Sequence, residues 1–254
     1  MEEQYKLVLE NIDKEYPLKD GGKFDTLKDI SMEIKKGEFV SIIGPSGSGK
    51  STLFNIVSGL ESPTRGKVFL DGINITNTKG KVSYMPQKDY LLPWRNVLDN
   101  VILGMEIKGY SKKMARDKAL SYMETFGLES FEYEYPSSLS GGMRQRAALL
   151  RTIMLDNDVL LLDEPFGALD EITRMQMQNW LLSIWGKFQH TIIFVTHSID
   201  EAIYLSDKVY VFSKRPAQLK YMVDIDLPRE RSSSLFIEKR YTDIKQEILS
   251  QLED

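Results

Sequence analysis

Gly44, Pro45, Ser46, Gly47, Ser48, Gly49, Lys50, Ser51 and Thr52 follow one another in an order suited to wrapping an anion. Glycines let successive backbone N–H groups turn inward around phosphate oxygens, and a helix beginning at the end of the loop adds the partial positive charge of its N-terminus. Lys50 adds a full charge for the β- and γ-phosphates of a nucleotide, and the Ser51 hydroxyl is a ligand for Mg²⁺. A second segment, Leu160 to Glu164, is an apolar run ending in two carboxylates. Side chains alternate along a strand, but where the strand ends the chain can turn both Asp163 and Glu164 towards one pocket. Asp163 suits the Mg²⁺ coordination sphere and Glu164 the polarising of an attacking water. A third segment, Leu139, Ser140, Gly141 and Gly142, opens a predicted helix that runs to about Met154. Small residues at a helix start expose N–H groups, so the chain carries a second anion-binding terminus, and one nucleotide does not obviously need two.

On these three segments the sequence resembles the ATP-binding subunits of ABC transporters. Leu139-Ser-Gly-Gly142 matches the family's signature motif. The resemblance implies that Ser140, Gly141 and Gly142 lie across a head-to-tail homodimer interface, against the γ-phosphate held by the other subunit's phosphate loop. It extends, in family order, to further positions. Gln87, in Tyr84-Met-Pro-Gln87, matches a glutamine that senses Mg²⁺ and the γ-phosphate and borders the transmembrane partner. Asp170 follows the carboxylate pair as the family's D-loop aspartate does. His197, after Phe194-Val-Thr196, matches the switch histidine at the γ-phosphate, and Tyr16 stands where an aromatic stacks on adenine. The match covers about residues 5 to 215. Met143 departs from it, replacing a glutamine common at that position, whereas Ser140, Gly141 and Gly142 are intact. The other histidine, His190, and Trp180 and Trp185 are expected to be structural.

The stretch from Gln87 to Asn100 resembles bacterial importers of nitrate, sulfonates and taurine, a branch that includes uptake systems for some vitamin precursors. Ser213-Lys-Arg-Pro216 and Leu227-Pro-Arg-Glu-Arg231 point the same way. In such systems the solute does not touch this subunit. Tyr90, Leu91, Leu92 and Trp94 are apolar side chains that need a cover, either a coupling helix of the permease or the interior of their own subdomain.

The elements that must position these groups are legible from periodicity. Tyr5 to Ile12 alternates polar and apolar residues as a half-buried strand does, and Ser31 to Ile34 and Lys67 to Leu70 read similarly, which predicts a small antiparallel β layer. Phe39 to Ile43, Val159 to Leu162 and Thr191 to Val195 are short, mainly apolar runs. They read as strands covered on both faces in a mainly parallel sheet, with Val209 to Phe212 as a neighbour. Thr52 to Leu60 has helical spacing. Between about residues 89 and 151 the pattern is helical: Ser111 is placed to cap a helix whose apolar face is Ala115, Ala119, Met123 and Phe126, with Gly127 at its close. In the tail, Ile237, Tyr241, Ile244 and Ile248 recur at helical spacing, which predicts an amphipathic helix, packed back on the domain or else presented to a partner. The expected fold is therefore α/β of the P-loop NTPase type. It has a domain over residues 1–230 with a mainly parallel core sheet, an antiparallel β subdomain and a helical insertion, and a helical tail over 231–254.

Composition sets the outer bounds. At 254 residues one compact domain with a subdomain is the default. Hydrophobic residues make up 42% and charged residues 28%, ordinary for a folded protein and too apolar for a disordered one. Lys and Arg number 33 against 37 Asp and Glu, a formal net charge of −4, which argues against a protein built to neutralise nucleic-acid phosphates. The absence of cysteine excludes disulfides and thiolate metal sites and fits a reducing compartment. The first residues lack the basic and apolar regions of a signal peptide, and no apolar run reaches the 18 or so residues that span a bilayer. The expectation is a Mg²⁺-dependent ATPase held peripherally at the cytoplasmic face of a membrane by permease subunits. An extracytoplasmic solute-binding protein would be an indirect partner. The alternative is an ABC ATPase acting on nucleic acid or the ribosome.

Overall fold

The computed structural model describes residues 5–19, 21–228, 231 and 233–253. Met1 to Gln4, and Arg229 and Glu230 of the 227–231 segment, lie outside the described residues. The chain opens with β1 (Tyr5–Pro17) and β2 (Lys23–Lys35), paired antiparallel and both longer than the alternating stretches that announce them. Next come β3 (Phe39–Ile43), α1 (Lys50–Val57), β4 (Arg65–Leu70), β5 (Ile73–Asn74) and β6 (Ser83–Met85). A helical region follows, with α2 (Val97–Val101), α3 (Leu103–Ile107), α4 (Lys112–Met123) and α5 (Gly141–Ile153). The remainder alternates: β7 (Val159–Asp163), α6 (Glu171–Phe188), β8 (Thr191–Val195), α7 (Ile199–Leu205), β9 (Lys208–Phe212), β10 (Leu219–Asp224) and α8 (Lys239–Glu253).

Two sheets result. One is antiparallel, in the order β2-β1-β4-β5; the other runs β10-β9-β3-β8-β7-β6 and is parallel except for the β10–β9 pair. All five residues of β3, β7, β8 and β9 are buried, as expected of strands covered on both faces. Parallel register brings the C-terminal ends of neighbouring strands to one edge, where open α/β sheets hold their ligands. Ile42 pairs with Val195, Asp163 with Val195, and Met85 with Leu162. The residues that leave these strands, at 44, 87, 164 and 196, are therefore delivered side by side.

Two apolar layers sandwich this sheet. Leu7, Ile12, Met32, Leu53 and Phe54 pack the antiparallel sheet and α1 on one face, against Ile42, Leu161 and Ile193. On the other face, Phe39, Leu160 and Phe194 meet α5, α6 and the helical region. Trp185 is buried there, with its ring edge-on to Phe39 at 5.5 Å and Nε1 donating to the His190 carbonyl at 3.0 Å. Trp180 meets Phe126 edge-on at 5.3 Å, and His190 stacks on Phe188 at 6.0 Å.

Ser111 caps α4, its hydroxyl accepting the Met114 N–H at 3.3 Å, and Ala115, Ala119, Met123 and Phe126 are buried. The helix ends at Met123, and Gly127 takes φ +59° in the turn beyond it. The apolar group at 90–94 divides: Leu91 is buried, while Tyr90 and Trp94 are 61% and 72% exposed. The tail helix departs from the expected pattern at one residue. Tyr241, Ile244 and Ile248 are buried against Ala202, Ile203, Val209 and Val211, but Ile237 is 87% exposed. A 3-10 turn over Ser233–Ile237 precedes α8, so Ile237 falls off the helical period.

Candidate functional site

The 44–52 loop is shaped by close packing. Gly49 has φ +112°, and a Cβ there would lie 2.9 Å from both Leu27 Cδ2 and Thr26 Cγ2. At Gly44 a Cβ would come within 2.9 Å of the Phe212 Cβ. The antiparallel sheet and β9 thus press on the loop from two sides, at points where only glycine fits. Ser46 and Gly47 are exposed at the mouth, and Gly47 takes φ +73°. Its carbonyl accepts from Arg215, whose guanidinium also lies 4.7 Å from the centre of the Phe24 ring. Lys50 begins α1 and is buried, donating to the carbonyls of Gly44 at 2.9 Å and Pro45 at 3.0 Å. Burial pushes its ammonium below the usual lysine range, against the pull of Glu164 and Asp163. The Ser48 hydroxyl and the neighbouring Thr26 hydroxyl are buried with no hydrogen-bond partner. A buried, part-desolvated cation and orphaned hydroxyls beside inward-curling backbone fit a polyphosphate.

Asp163, the last residue of β7, is buried, with Ser51 and the Tyr84 hydroxyl as hydrogen-bond partners; the Tyr84 distance is 3.3 Å. Burial pushes the Asp163 carboxyl up despite these donors, and pushes the Tyr84 phenol up as well. One buried carboxylate beside one hydroxyl is a donor set that suits Mg²⁺, which is commonly bound through one or two carboxylates, retained waters and substrate phosphates.

Glu164 is the first residue beyond β7 and has φ +46°, uncommon for a residue with a side chain. Its N–H donates to the Val195 carbonyl at 2.9 Å and its own carbonyl accepts from Gly167 at 3.1 Å, so the backbone is held on both sides. This turn points the carboxylate across the sheet edge. Oε2 accepts from Gln87 Nε2 at 2.9 Å, and Oε1 lies 2.5 Å from His197 Nε2. Three strand ends thus meet at one carboxylate. Such a group can accept a proton from a water held by the glutamine and histidine.

Tyr16 is half-buried on β1, its hydroxyl hydrogen-bonded to Glu61 and Thr52 and its ring centre 4.8 Å from Lys14 Nζ. Burial raises its phenol. Thr52 thereby ties the aromatic ring to the first turn of α1.

The remaining sequence-predicted residues gather elsewhere. Ser140 caps α5, its hydroxyl accepting the Met143 N–H at 3.3 Å, and Gly141 and Gly142 form the first turn. Asp170 caps α6, accepting the Thr173 N–H at 3.0 Å, a bond that holds its carboxyl below the usual range. The two caps are neighbours: a Cβ on Gly141 would lie 3.4 Å from Leu169, and one on Gly142 3.3 Å from Thr173. Among the described residues, no hydrogen bond or ion pair joins Ser140, Gly141, Gly142 or Asp170 to the 44–52 loop.

Sequence reasoning missed Tyr84 and Arg215 as supports of the site. Tyr84 was visible only as one residue of the Gln87 segment, and its link to Asp163 is created by β6 lying beside β7. Arg215 stood out in the sequence for kinship, not for reaching Gly47.

A model of the ABC transporter family matches residues 27–167. The chain is 45% identical to the ABC transporter ATP-binding protein MJ0412 of Methanocaldococcus jannaschii, over 97% of this chain and 94% of that one. It is 40% identical to the aliphatic sulfonates import ATP-binding protein SsuB of Bacillus cereus, over 94% and 92%. Among solved structures, the dimeric bacterial ABC transporter cassette MJ0796 superposes with a TM-score of 0.76 at 31% identity, covering 87% of this chain and all of that one. By the family match and by the extent of these similarities, the chain belongs to the ABC transporter ATP-binding family.

Proposed function

We propose that this chain is the ATP-hydrolysing subunit of an importer for a small solute of the nitrate, sulfonate and taurine type. The observation that carries the chemistry is the convergence of Gln87 and His197 on the Glu164 carboxylate, at the sheet edge that also holds Lys50. Lys50, Ser51 and Thr52 bind the phosphates, with the N–H groups of residues 46–49 around them. Asp163, Ser51 and Gln87 would hold Mg²⁺, which when bound neutralises charge on the phosphate oxygens. Glu164 takes the proton of the attacking water, His197 orients the γ-phosphate, and Tyr16 stacks on adenine. Ser140, Gly141 and Gly142 serve the site of a second copy, and Asp170 borders that shared site. A dimeric relative and the separation of these caps from the loop within one chain support this reading. Closure then needs both nucleotides, because each γ-phosphate bridges two positively polarised helix ends.

The import assignment draws on the similarity to a protein named for aliphatic sulfonate import. No helix among the described residues is long and apolar enough to cross a membrane, so permease subunits would make the crossing, with this chain on their cytoplasmic face and a solute-binding protein beyond them. Tyr90 and Trp94, exposed at the edge of the helical region, are the surface for that contact. The segment that could otherwise reach nucleic acid holds helices of 5, 5 and 12 residues rather than a long coiled coil.

Glu164→Gln tests the proposal. It should bind ATP yet turn over at least about a hundredfold slower, the usual scale for losing acid/base catalysis. Near-normal turnover would remove Glu164 from its role. Light scattering on the same variant should show monomers becoming dimers on addition of Mg²⁺-ATP, and a persistent monomer with ATP bound would overturn the shared site.

A further inference from the structure

Glu201 lies on α7, four residues after His197, and is only 7% exposed. Its spacing from Ser198 is that of a capping box, in which the glutamate reaches back to the N–H of the capping residue. Half of that motif forms: the Ser198 hydroxyl accepts the Glu201 N–H at 3.2 Å. The other half does not, because the Ser198 N–H donates to Thr196 Oγ1 at 3.0 Å. The glutamate side chain is thereby released from its local duty and turned inward.

What it meets is a chain of polar groups with a defined direction. Thr196 Oγ1, already accepting from Ser198, sends its own proton to Glu201 Oε2. Gln178 Nε2 donates to Oε1 at 3.2 Å, and Arg174 Nε stands 3.6 Å from the same oxygen. Arg174 also donates through Nη2 to the Leu169 carbonyl at 2.9 Å. One buried carboxylate therefore connects the residue before His197 to the residue before Asp170. A group with only a packing role has no need of two converging hydrogen-bond donors and a guanidinium whose Nε, at ion-pair distance, has no hydrogen-bond partner of its own, and a buried carboxylate is stable only when paired and hydrogen-bonded.

We infer that Glu201 is a positioning residue, which ties the loop carrying His197 to the 164–170 loop through Thr196 and Arg174 and so sets the meeting of His197 with Glu164. The inference rests on the ATPase reading above. Loss of the tie leaves the phosphate loop, and so nucleotide binding, intact, while the His197 and Glu164 loops lose their fixed relation. The effect belongs in turnover and not in affinity.

The test uses the full chain with Glu201→Gln, Arg174→Met and the double variant, assayed for ATP hydrolysis and for ATP binding. Each single variant should lower kcat by about tenfold, with KM and Kd for ATP changed less than about twofold. The double variant should be no slower than the slower single one, because both break the same link. Arg174 is the more exposed partner, so Arg174→Met carries the test if Glu201→Gln does not fold. A kcat within twofold of the parent, a loss confined to KM, or losses that multiply in the double variant would overturn the inference. If the parent hydrolyses ATP and Glu164→Gln does not, such results remove this inference alone. A parent without ATPase activity removes the ATPase reading and this inference with it.

Discussion

Lys50 shows how a residue proposed to bind phosphate would work against the stability of the fold that holds it. Its ammonium is buried on two backbone carbonyls, and desolvation holds its pKa below the ordinary value of 10.5, so the folded chain disfavours the charged form. For a depressed base the unfolded state binds the proton more tightly, so the cost is fully present at neutral pH. It fades only as pH rises through the lowered folded pKa towards 10.5. Lys50→Met keeps the stem and removes the charge. Without nucleotide it should therefore melt at the parental temperature or higher at pH 7, with any advantage gone near pH 10.5, while ATP affinity falls at least about tenfold through the lost charge-assisted bonds. Thermal scans at the two pH values and a binding titration check both halves; a clear drop in melting temperature at pH 7 would contradict the argument. Lys50 was legible in the sequence because its neighbours in space are its neighbours in the chain. Tyr84 and Glu201 were not, since their partners Asp163 and Arg174 lie 79 and 27 residues away and only the assembled sheet and helices bring them close.

At the scale of elements, legibility follows burial. β3, β7 and β8 are plain in the sequence because a strand covered on both faces is nearly all apolar, with Ser41, Asp163 and Thr191 the single polar residue of each, and these strands end at the candidate site. β6 is three residues long, and in β10, where burial does alternate, the apolar Met222 stands at an exposed position between Tyr221 and Val223 and masks the period. In α8 the period is real but begins two residues later than the apolar spacing implies, so Ile237 lies outside the apolar stripe of a helix that starts at Lys239. The helix is fixed to α7 in two ways that can be separated experimentally. Ile244 is buried in an apolar cluster with Ala202 and Val211, whereas the Tyr241 hydroxyl donates to Asp200 Oδ1 at 2.7 Å beside the Lys245 ammonium at 2.8 Å. Ile244→Ala should cost about 2–4 kcal/mol by removing buried methyl groups and leaving a cavity, and Tyr241→Phe about 1 kcal/mol for one hydrogen bond. Denaturant unfolding with a two-state fit measures both. Equal losses would mean that α8 is held by its polar contacts and not by its apolar face.

The scale of the whole molecule decides what the two caps at Ser140 and Asp170 are for. Within one chain they close helices α5 and α6 and lie against each other, while the Glu164 carboxylate sits with Gln87 and His197 at the sheet edge. If the signature turn serves a second copy, a site is complete only when the 44–52 loop and Glu164 come from one chain and Ser140 from the other. Two inactive proteins should then restore activity on mixing. Glu164→Gln keeps its signature turn, and Ser140→Arg, at an exposed position where the larger side chain has room, keeps its carboxylate. About half of the dimers in an equal mixture are mixed, and each holds one complete site of two, so turnover should recover to at most about a quarter of the parental rate, less where the doubly substituted second site weakens closure. Melting temperatures of the separate variants exclude simple unfolding, since loss of the Ser140 cap costs only about 1 kcal/mol. Measured by phosphate release across mixing ratios, the recovery should peak at equal amounts, where mixed dimers are most abundant. Activity no greater than the sum of the two proteins assayed apart would overturn the assignment of Ser140, Gly141 and Gly142 to the partner's site, and would leave them as the cap of α5 alone.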